Sequence, residues 1–512
     1  MRRLAKFLYK ALRPSLADVV LATLIARLFV FGQGWLALLA DGDTGWHIRT
    51  GDWILESHRA PTTDLFSFSR SGEAWFAWEW LSDVLLALFH SRWGLAGVAV
   101  LAGCVIALAA IVLFRHMLWR GANPVVAFAV LLAAVGASSI HYLARPHVFT
   151  LLFMTVSLWM VECDRRRPGP AVWLLAPLSA VWINLHGGFF ALPATLVALA
   201  AGFGLEAWLD RPQRSVKWAA SRRYLALAAA TSAASIFNPY GIGLHSHVAR
   251  YLASDWIRNS VSEFQSPSFR SENMLQFELL LVTALLLAGA LLVRKRVADA
   301  LLVVAWAHLA LGSARHVPIF AVVSAPLVAV EISRLWQDWV TNRPARSVGS
   351  ILWTLGTDMA PSFRRFSLWA PVLAAAVMLM TPAAHWPGDF SESSFPVSLV
   401  RRESSRLARA RVFTSDQWAD YLIYRGWPRQ KVFFDGRSDF YGPSIGDDYL
   451  KLIGGRPGWE KLFQKYNFNV ALIPLGWPLV SLLDRDPAWR RVGEDKTGVL
   501  YERLDKPAPP SV

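Results

Sequence analysis

Two aspartates one residue apart, Asp41 and Asp43, open the polar run Asp41-Gly42-Asp43-Thr44 directly after an apolar stretch. Carboxylates at that spacing can share a divalent cation such as Mg2+ or Mn2+, with His47 close by. Alternatively one serves as a general base while the charge of the other raises its pKa. The plainer reading is an Asx-type cap on the following helix, which Asp43-Thr44 also supplies. Four further turns carry ionisable or helix-breaking groups: Ala144-Arg145-Pro146-His147, Asn184-Leu185-His186-Gly187-Gly188, Asn238-Pro239-Tyr240-Gly241 with His245 and His247 behind it, and Ala314-Arg315-His316-Val317-Pro318. Each turn alone is explained by Gly and Pro punctuation and by Arg or His anchoring at headgroups. Brought to one level, they describe a pocket with an acidic edge at Asp41 and Asp43 and a basic wall at Arg145 and Arg315. Trp46, His47, His186, Asn238 and Tyr240 are the further candidates for its lining. Such a pocket suits an anionic, lipid-linked substrate.

The elements that position these turns are membrane spans. Of 512 residues, 54% are hydrophobic and 17% charged, against about a quarter charged in ordinary soluble domains. The apolar residues come in blocks, and about 20 of them in helical form cross the hydrocarbon with every backbone group paired internally. Spans are expected at 16–40, 94–114, 124–142, 147–163, 171–185, 188–209, 222–237, 275–293, 298–313, 317–338 and 367–384. The apolar run of 16–40 is too long for a signal peptide and has no small-residue cleavage site after it, so it reads as a retained first span. Lys and Arg cluster at one set of span ends, among them Arg2, Arg3, Arg115, Arg120, Arg165–Arg167, Arg211, Arg222, Arg223 and Arg294–Arg296. By the positive-inside rule those ends are cytoplasmic, and all five polar turns fall on the opposite side of a bacterial inner membrane. The same clustering accounts for the net charge of +15 and argues against nucleic-acid binding, which needs a basic patch with aromatic partners.

The predicted organisation is a mainly α, polytopic bundle over residues 1–384, with the first outer loop 41–93 carrying interfacial helices. A connector follows at 385–410, then a small α/β domain at 411–512 on the periplasmic side. Strands are expected at Arg411–Thr414, Lys431–Phe434, Val470–Pro474 and Gly498–Tyr501, with helices at Gln417–Tyr424 and Trp459–Tyr466. Both cysteines, Cys104 and Cys163, fall inside spans, so the C-terminal domain has neither a disulfide framework nor a cysteine metal site. The first outer loop is dense in indole, from Trp46 and Trp53 to Trp75-Phe76-Ala77-Trp78-Glu79-Trp80. Tryptophan favours the membrane interface, and its face also stacks on sugar rings. The segment Phe434–Asp439 reads most simply as a strand end and turn with an internal salt bridge.

An Asp-x-Asp loop after the first span, interfacial helices, a many-span bundle and an outer C-terminal domain together resemble the GT-C superfamily of integral-membrane glycosyltransferases. The strings DGDTGWHIRTGDWILE, ARPHVFTLLF, NLHGGFF, FNPYGIGLH and VFFDGRSDFYG are similar to those of bacterial membrane proteins described as glycosyltransferase-like. The resemblance implies transfer of a sugar from a polyprenyl phosphate to a hydroxyl of a glycan, lipid or protein acceptor. It places Asp41 and Asp43 at the active site, with Asp43 or Asp41 taking the acceptor's proton and the anomer inverting. Arg145 and Arg315, with His147 and His316 beside them, would hold the departing phosphate. A flippase or transporter, a non-catalytic scaffold for envelope polysaccharide assembly and a redox protein stay open as rival readings.

Overall fold

In the computed structural model the described residues are 12, 15–29, 34–271, 273–364 and 386–504, with single positions at 367, 369, 372, 376 and 380. Apart from those single positions, the expected last span, 367–384, lies outside them, as do the basic N-terminal residues Arg2 and Arg3. Among the described residues, six helices are long and apolar enough to cross a membrane: Trp80–Arg120, Pro124–His141, His147–Arg166, Gly187–Leu209, Met274–Val293 and Ala314–Thr341. Leu16–Ala26, Pro170–Leu185 and Val297–Gly312 are shorter apolar helices among them. The expected span at 222–237 is a helix over Arg214–Ala234, but its first half carries Arg214, Lys217, Arg222 and Arg223.

Local chemistry sets the helix ends. The chain leaves Arg120 through Gly121 at φ 107 and re-enters at Pro124, with the Asn123 side chain accepting from the Val125 amide. Glycine meets the left-handed turn at no steric cost, and Asn-Pro is a matched cap and first residue. At that end of the bundle the basic residues are laced to acids: Arg165 to Asp299 at 2.7 Å, Arg223 to Asp164 at 2.8 Å and Arg296 to Asp299 at 2.7 Å.

The opposite end is built from the first loop. The helix Trp80–Arg120 is broken at Trp93 and Gly94, where Gly94 has φ 58. Its first part packs on the helix Asp43–Ser57, and the rest crosses the bundle. The fit on Asp43–Ser57 is close on both faces. A Cβ at Gly51 would stand 2.0 Å from the Asp83 carbonyl oxygen, and one at Gly45 would stand 2.6 Å from that of Asp420. The helix is therefore clamped between the bundle and the C-terminal helix Asp416–Gly426. Arg49 adds to the clamp by donating to the Tyr424 carbonyl at 2.6 and 2.8 Å.

Four strands form the C-terminal sheet: β1 (Val412–Phe413), β2 (Val470–Pro474), β3 (Trp489–Glu494) and β4 (Gly498–Arg503), in the order β1-β2-β4-β3. β1 and β2 are parallel, and the other pairs are antiparallel. The expected strand at Lys431–Phe434 is a single bridge residue, Val432, paired in parallel with Val412 and with Ser67 of the first loop. Loop and sheet thus share a hydrogen-bonded edge. The domain's longer helices are Asp416–Gly426 and Ser438–Ile453, the second bent at Gly442.

Candidate functional site

Where the first loop, the C-terminal helices and the turns of the bundle meet, carboxylates and guanidiniums converge. Arg145 is the hub. Its guanidinium lies 2.8 Å from Asp41, 2.7 Å from Asp43 and 3.2 Å from Glu263. Burial would depress its pKa, but the three carboxylates outweigh that and push it further up. Asp41 and Asp43 are bridged by this side chain, and among the described residues no group of three His, Cys, Asp or Glu could hold a metal ion. The guanidinium stands against the same two carboxylates for which an Mg2+ or Mn2+ ion was one expectation.

Asp43 faces a second carboxylate from the C-terminal domain, Asp420. Both are buried, and a Cβ at Gly436 would stand 1.9 Å from Asp43 Oδ1 and 3.0 Å from Asp420 Oδ2. Only glycine admits this approach. Burial raises Asp43 to about 7, with Arg145 opposing and Asp41 adding to the rise. Asp420 is raised well above its usual range by burial and by the Asp43 charge. Asp420 therefore keeps its proton while Asp43 releases its own around neutral pH. The Gly436 amide donates to Asp420 Oδ1 at 3.2 Å.

Glu79 is a site residue that the sequence reading missed. Its carboxyl oxygens lie 3.6 Å from His47 Nε2 and 3.3 Å from His186 Nε2. His47 Nδ1 is 2.6 Å from Asp83, which is fully buried. His186 Nδ1 accepts from the Gly188 amide at 3.0 Å, so its Nε2 carries the proton and points it at Glu79. Burial lowers both imidazoles, His186 to about 3, and keeps them neutral. Burial likewise lifts Glu79 to about 8 in spite of Arg145 and Arg315. The signal available in the sequence was a lone acid between two indoles, Trp78-Glu79-Trp80.

Two cavities open on this cluster. One, of about 240 Å3, runs among the helices, with Leu151, Leu252, Trp306 and Ile319 in its apolar wall. Its polar end gathers Arg145, His147, Arg315 and His316, the four residues the sequence suggested for phosphate. The other, of about 340 Å3, lies beneath the C-terminal domain and is lined by Asp41, Asp43, Trp46 and Arg437 among others. Glu79, Arg145, His186 and Arg315 belong to both walls, so the cavities are two limbs of one crevice. Arg315 is the less neutralised cation: its closest carboxylate, Glu263, is 4.0 Å away, and it rests on the Phe264 ring at 4.3 Å. The Arg145 and Arg315 charges outweigh burial at Glu263 and hold it well below the usual carboxylate range.

Three expected lining residues stand elsewhere. Asn238 spends its amide on Ser235 and Gly241 carbonyls and its oxygen on the Tyr240 amide, closing the Asn-Pro turn. The Tyr240 hydroxyl donates to the Pro61 carbonyl at 2.7 Å and accepts from the Ala77 amide, which anchors the first loop. His47 is buried behind Glu79, outside both walls. The salt bridge expected in Phe434–Asp439 forms between Arg437 and Asp435 at 2.7 Å and extends to Asp64 at 2.8 Å, tying the domain to the first loop.

No sequence profile of a known family matches the chain, and no curated protein matches it by sequence. Solved structures do match in three dimensions. The Archaeoglobus fulgidus oligosaccharyltransferase tethered to an acceptor peptide superposes with TM-score 0.58 at 13% identity, over 90% of this chain and 68% of that one. The archaeal oligosaccharyltransferase AglB from Archaeoglobus fulgidus, in complex with an inhibitory peptide and a dolichol-phosphate, gives TM-score 0.55 at 11% identity, over 90% and 69%. ArnT from Cupriavidus metallidurans bound to undecaprenyl phosphate aligns over 97% of this chain and 99% of that one at 13% identity, but at TM-score 0.48. The chain is a multi-pass membrane protein that shares the fold of these structures, a helical bundle followed by a C-terminal sheet domain.

Proposed function

We propose that the protein transfers a sugar from a polyprenyl phosphate to an acceptor hydroxyl at the periplasmic face of a bacterial inner membrane. The observation that carries this reading is the two-limbed crevice. An apolar limb with cations at its end suits a lipid phosphate, and a polar limb with carboxylates suits the sugar and its acceptor. The fold adds support, since one solved relative of that fold holds dolichol-phosphate and another an acceptor peptide. The basic residues laced together at the far end of the bundle favour a cytoplasmic position for that end.

In this reaction the acceptor oxygen attacks the anomeric carbon from the face opposite the phosphate, and the configuration inverts. The new bond is carbon to acceptor oxygen, and the broken bond is carbon to phosphate oxygen. Asp43, ionised while Asp420 keeps its proton, takes the hydroxyl proton. The leaving group departs as polyprenyl phosphate with its electron pair, steadied by the positive charge of Arg315. Arg145 keeps the Asp41–Asp43 edge together and contributes less net charge to the phosphate, because three carboxylates already surround it. The test is a radiolabel assay on purified protein in lipid with a panel of polyprenyl-phosphate sugars. Transfer or slow hydrolysis of one donor, abolished by Asp43→Asn, supports the assignment. Silence across the panel from folded protein would remove it.

A further inference from the structure

We propose that the polar cavity beneath the C-terminal domain is a subsite for an uncharged saccharide, and that this saccharide is the acceptor. Its role as acceptor rests on the transferase reading, while its binding does not. Three features of the wall point to this ligand. The first is aromatic: the indoles of Trp75, Trp78 and Trp256 all border the cavity, and indole faces cover the C–H faces of sugar rings.

The second is a set of buried polar atoms with no partner among the described residues. Trp46 Nε1 and Arg437 Nη1 are donors without an acceptor, and Asp83 Oδ2 is an acceptor without a donor. All three residues belong to this wall. Arg437 is the sharpest case, with a side chain only 1% exposed. Its Nε and Nη2 are held by Asp435 and Asp64, which leaves Nη1 free. A ligand that answers both kinds of group must donate and accept from the same scaffold, as hydroxyls do. Buried polar groups are normally paired, so an unpaired set around one cavity is a recognition pattern.

The third is charge. Seven carboxyl groups and three guanidiniums line the cavity; burial keeps Glu79 and part of Asp43 protonated, but acids still outnumber cations, and the Arg437 charge is already offset by Asp64 and Asp435. An anionic acceptor, whether a phosphorylated headgroup or a uronate, would enter against this excess. The cavity has ordinary small-ligand size. Its shared wall with the apolar limb at Glu79 and Arg145 sets a bound hydroxyl beside the donor's end.

The experiment uses the full chain in nanodiscs, titrated with maltotriose, cellotriose, chitotriose, mannotriose and trigalacturonate, and with an Asn-Val-Thr peptide. Indole fluorescence and calorimetry are the readouts. Binding of a neutral trisaccharide at millimolar concentration or tighter is expected, with none for trigalacturonate. Arg437→Lys keeps a cation between Asp64 and Asp435 but removes the Nη1 donor, and should weaken binding about tenfold or more. Trp256→Ala should weaken it comparably without changing the binding of a polyprenyl phosphate. Preference for the uronate or the peptide, or no saccharide binding by folded protein, would overturn the proposal. Saccharide binding without any polyprenyl-phosphate binding would instead remove the transferase reading and leave the subsite standing.

Discussion

Replacing Asp43 by Asn separates two effects that the structure ties to one carboxyl group. The carboxyl is buried, lies 2.7 Å from Arg145 and faces Asp420. Burial raises it from 3.8 to about 7 in the folded protein. Below the lower value both folded and unfolded chains hold the proton, and stability does not depend on this group. Between the two values the unfolded chain has released the proton while the folded chain keeps it, so stability falls as pH rises. Above the folded value the loss is complete. A gap of roughly three units corresponds to about 4 kcal/mol. Asn cannot ionise and escapes that penalty, and the attraction of Arg145 for the charged form is already contained in the folded value. The net expectation is a variant more stable than the parent at pH 8, by up to about 4 kcal/mol, and by less at pH 5. Transfer moves the opposite way. Loss of the base costs about 10²–10⁴-fold in rate, and the parent's rise in rate with a midpoint near pH 7 disappears. Thermal unfolding in detergent across this pH range and single-turnover transfer in proteoliposomes read the two effects separately. Near-normal turnover would refute Asp43 as base, and a variant destabilised at pH 8 would refute the burial argument.

Arg315→Gln should raise the KM for the donor by about ten- to a hundredfold with only a small fall in melting temperature, because its nearest carboxylate, Glu263, is 4.0 Å away and keeps Arg145 at 3.2 Å. Arg145→Gln should instead lower stability, since it strands Asp41, Asp43 and Glu263 together, and thermal shift with donor titration distinguishes the two. Gly436→Ala drives a methyl group into Asp43 Oδ1 at 1.9 Å, and overpacking of that kind costs about 1–3 kcal/mol. It should reduce transfer along with stability, and equal activity in a folded variant would show that the close approach is not needed. Arg437→Ala leaves Asp64 and Asp435 buried without their cation, a loss of about 3–5 kcal/mol. Limited proteolysis should then cut the chain near the connector faster than in the parent.

The spans were legible because hydrocarbon imposes one rule on every residue in them, and apolar runs between Gly, Pro and Arg follow it. The C-terminal domain was legible only in part. β2 is a buried run, Val470-Ala471-Leu472-Ile473, and reads as a strand anywhere. β3, Trp489-Arg490-Arg491-Val492-Gly493-Glu494, is an edge strand whose arginines face solvent, so it carries little apolar signal. The helix Ser438–Ile453 was hidden by Gly442-Pro443, a pair that normally ends a helix. Here Gly442 takes φ 63 and the helix resumes beyond it.

For the site, sequence supplied the residue types but not their counter-charges. Arg145 was legible as a cation at a turn, yet its electrostatic role depends on three carboxylates drawn from two other segments. One of those, Glu263, comes from a loop with no apolar or turn pattern to single it out. Asp420 sits on a helix that was expected, but its pairing with Asp43 exists only because Gly436 leaves room between two segments nearly four hundred residues apart. A bridge of that kind has no local period or motif. What can be read locally is its necessary condition, a glycine with acids on both sides, as in Phe434-Asp435-Gly436-Arg437-Ser438-Asp439. That condition is met at many turns that do no chemistry. Here the approach of a second chain segment makes the difference, and it follows from the sheet edge that Val432 shares with Ser67 of the first loop. The backbone pairing that joins loop to sheet is therefore what assembles the carboxylate pair, and weakening that edge should disperse the pair before it disturbs any span.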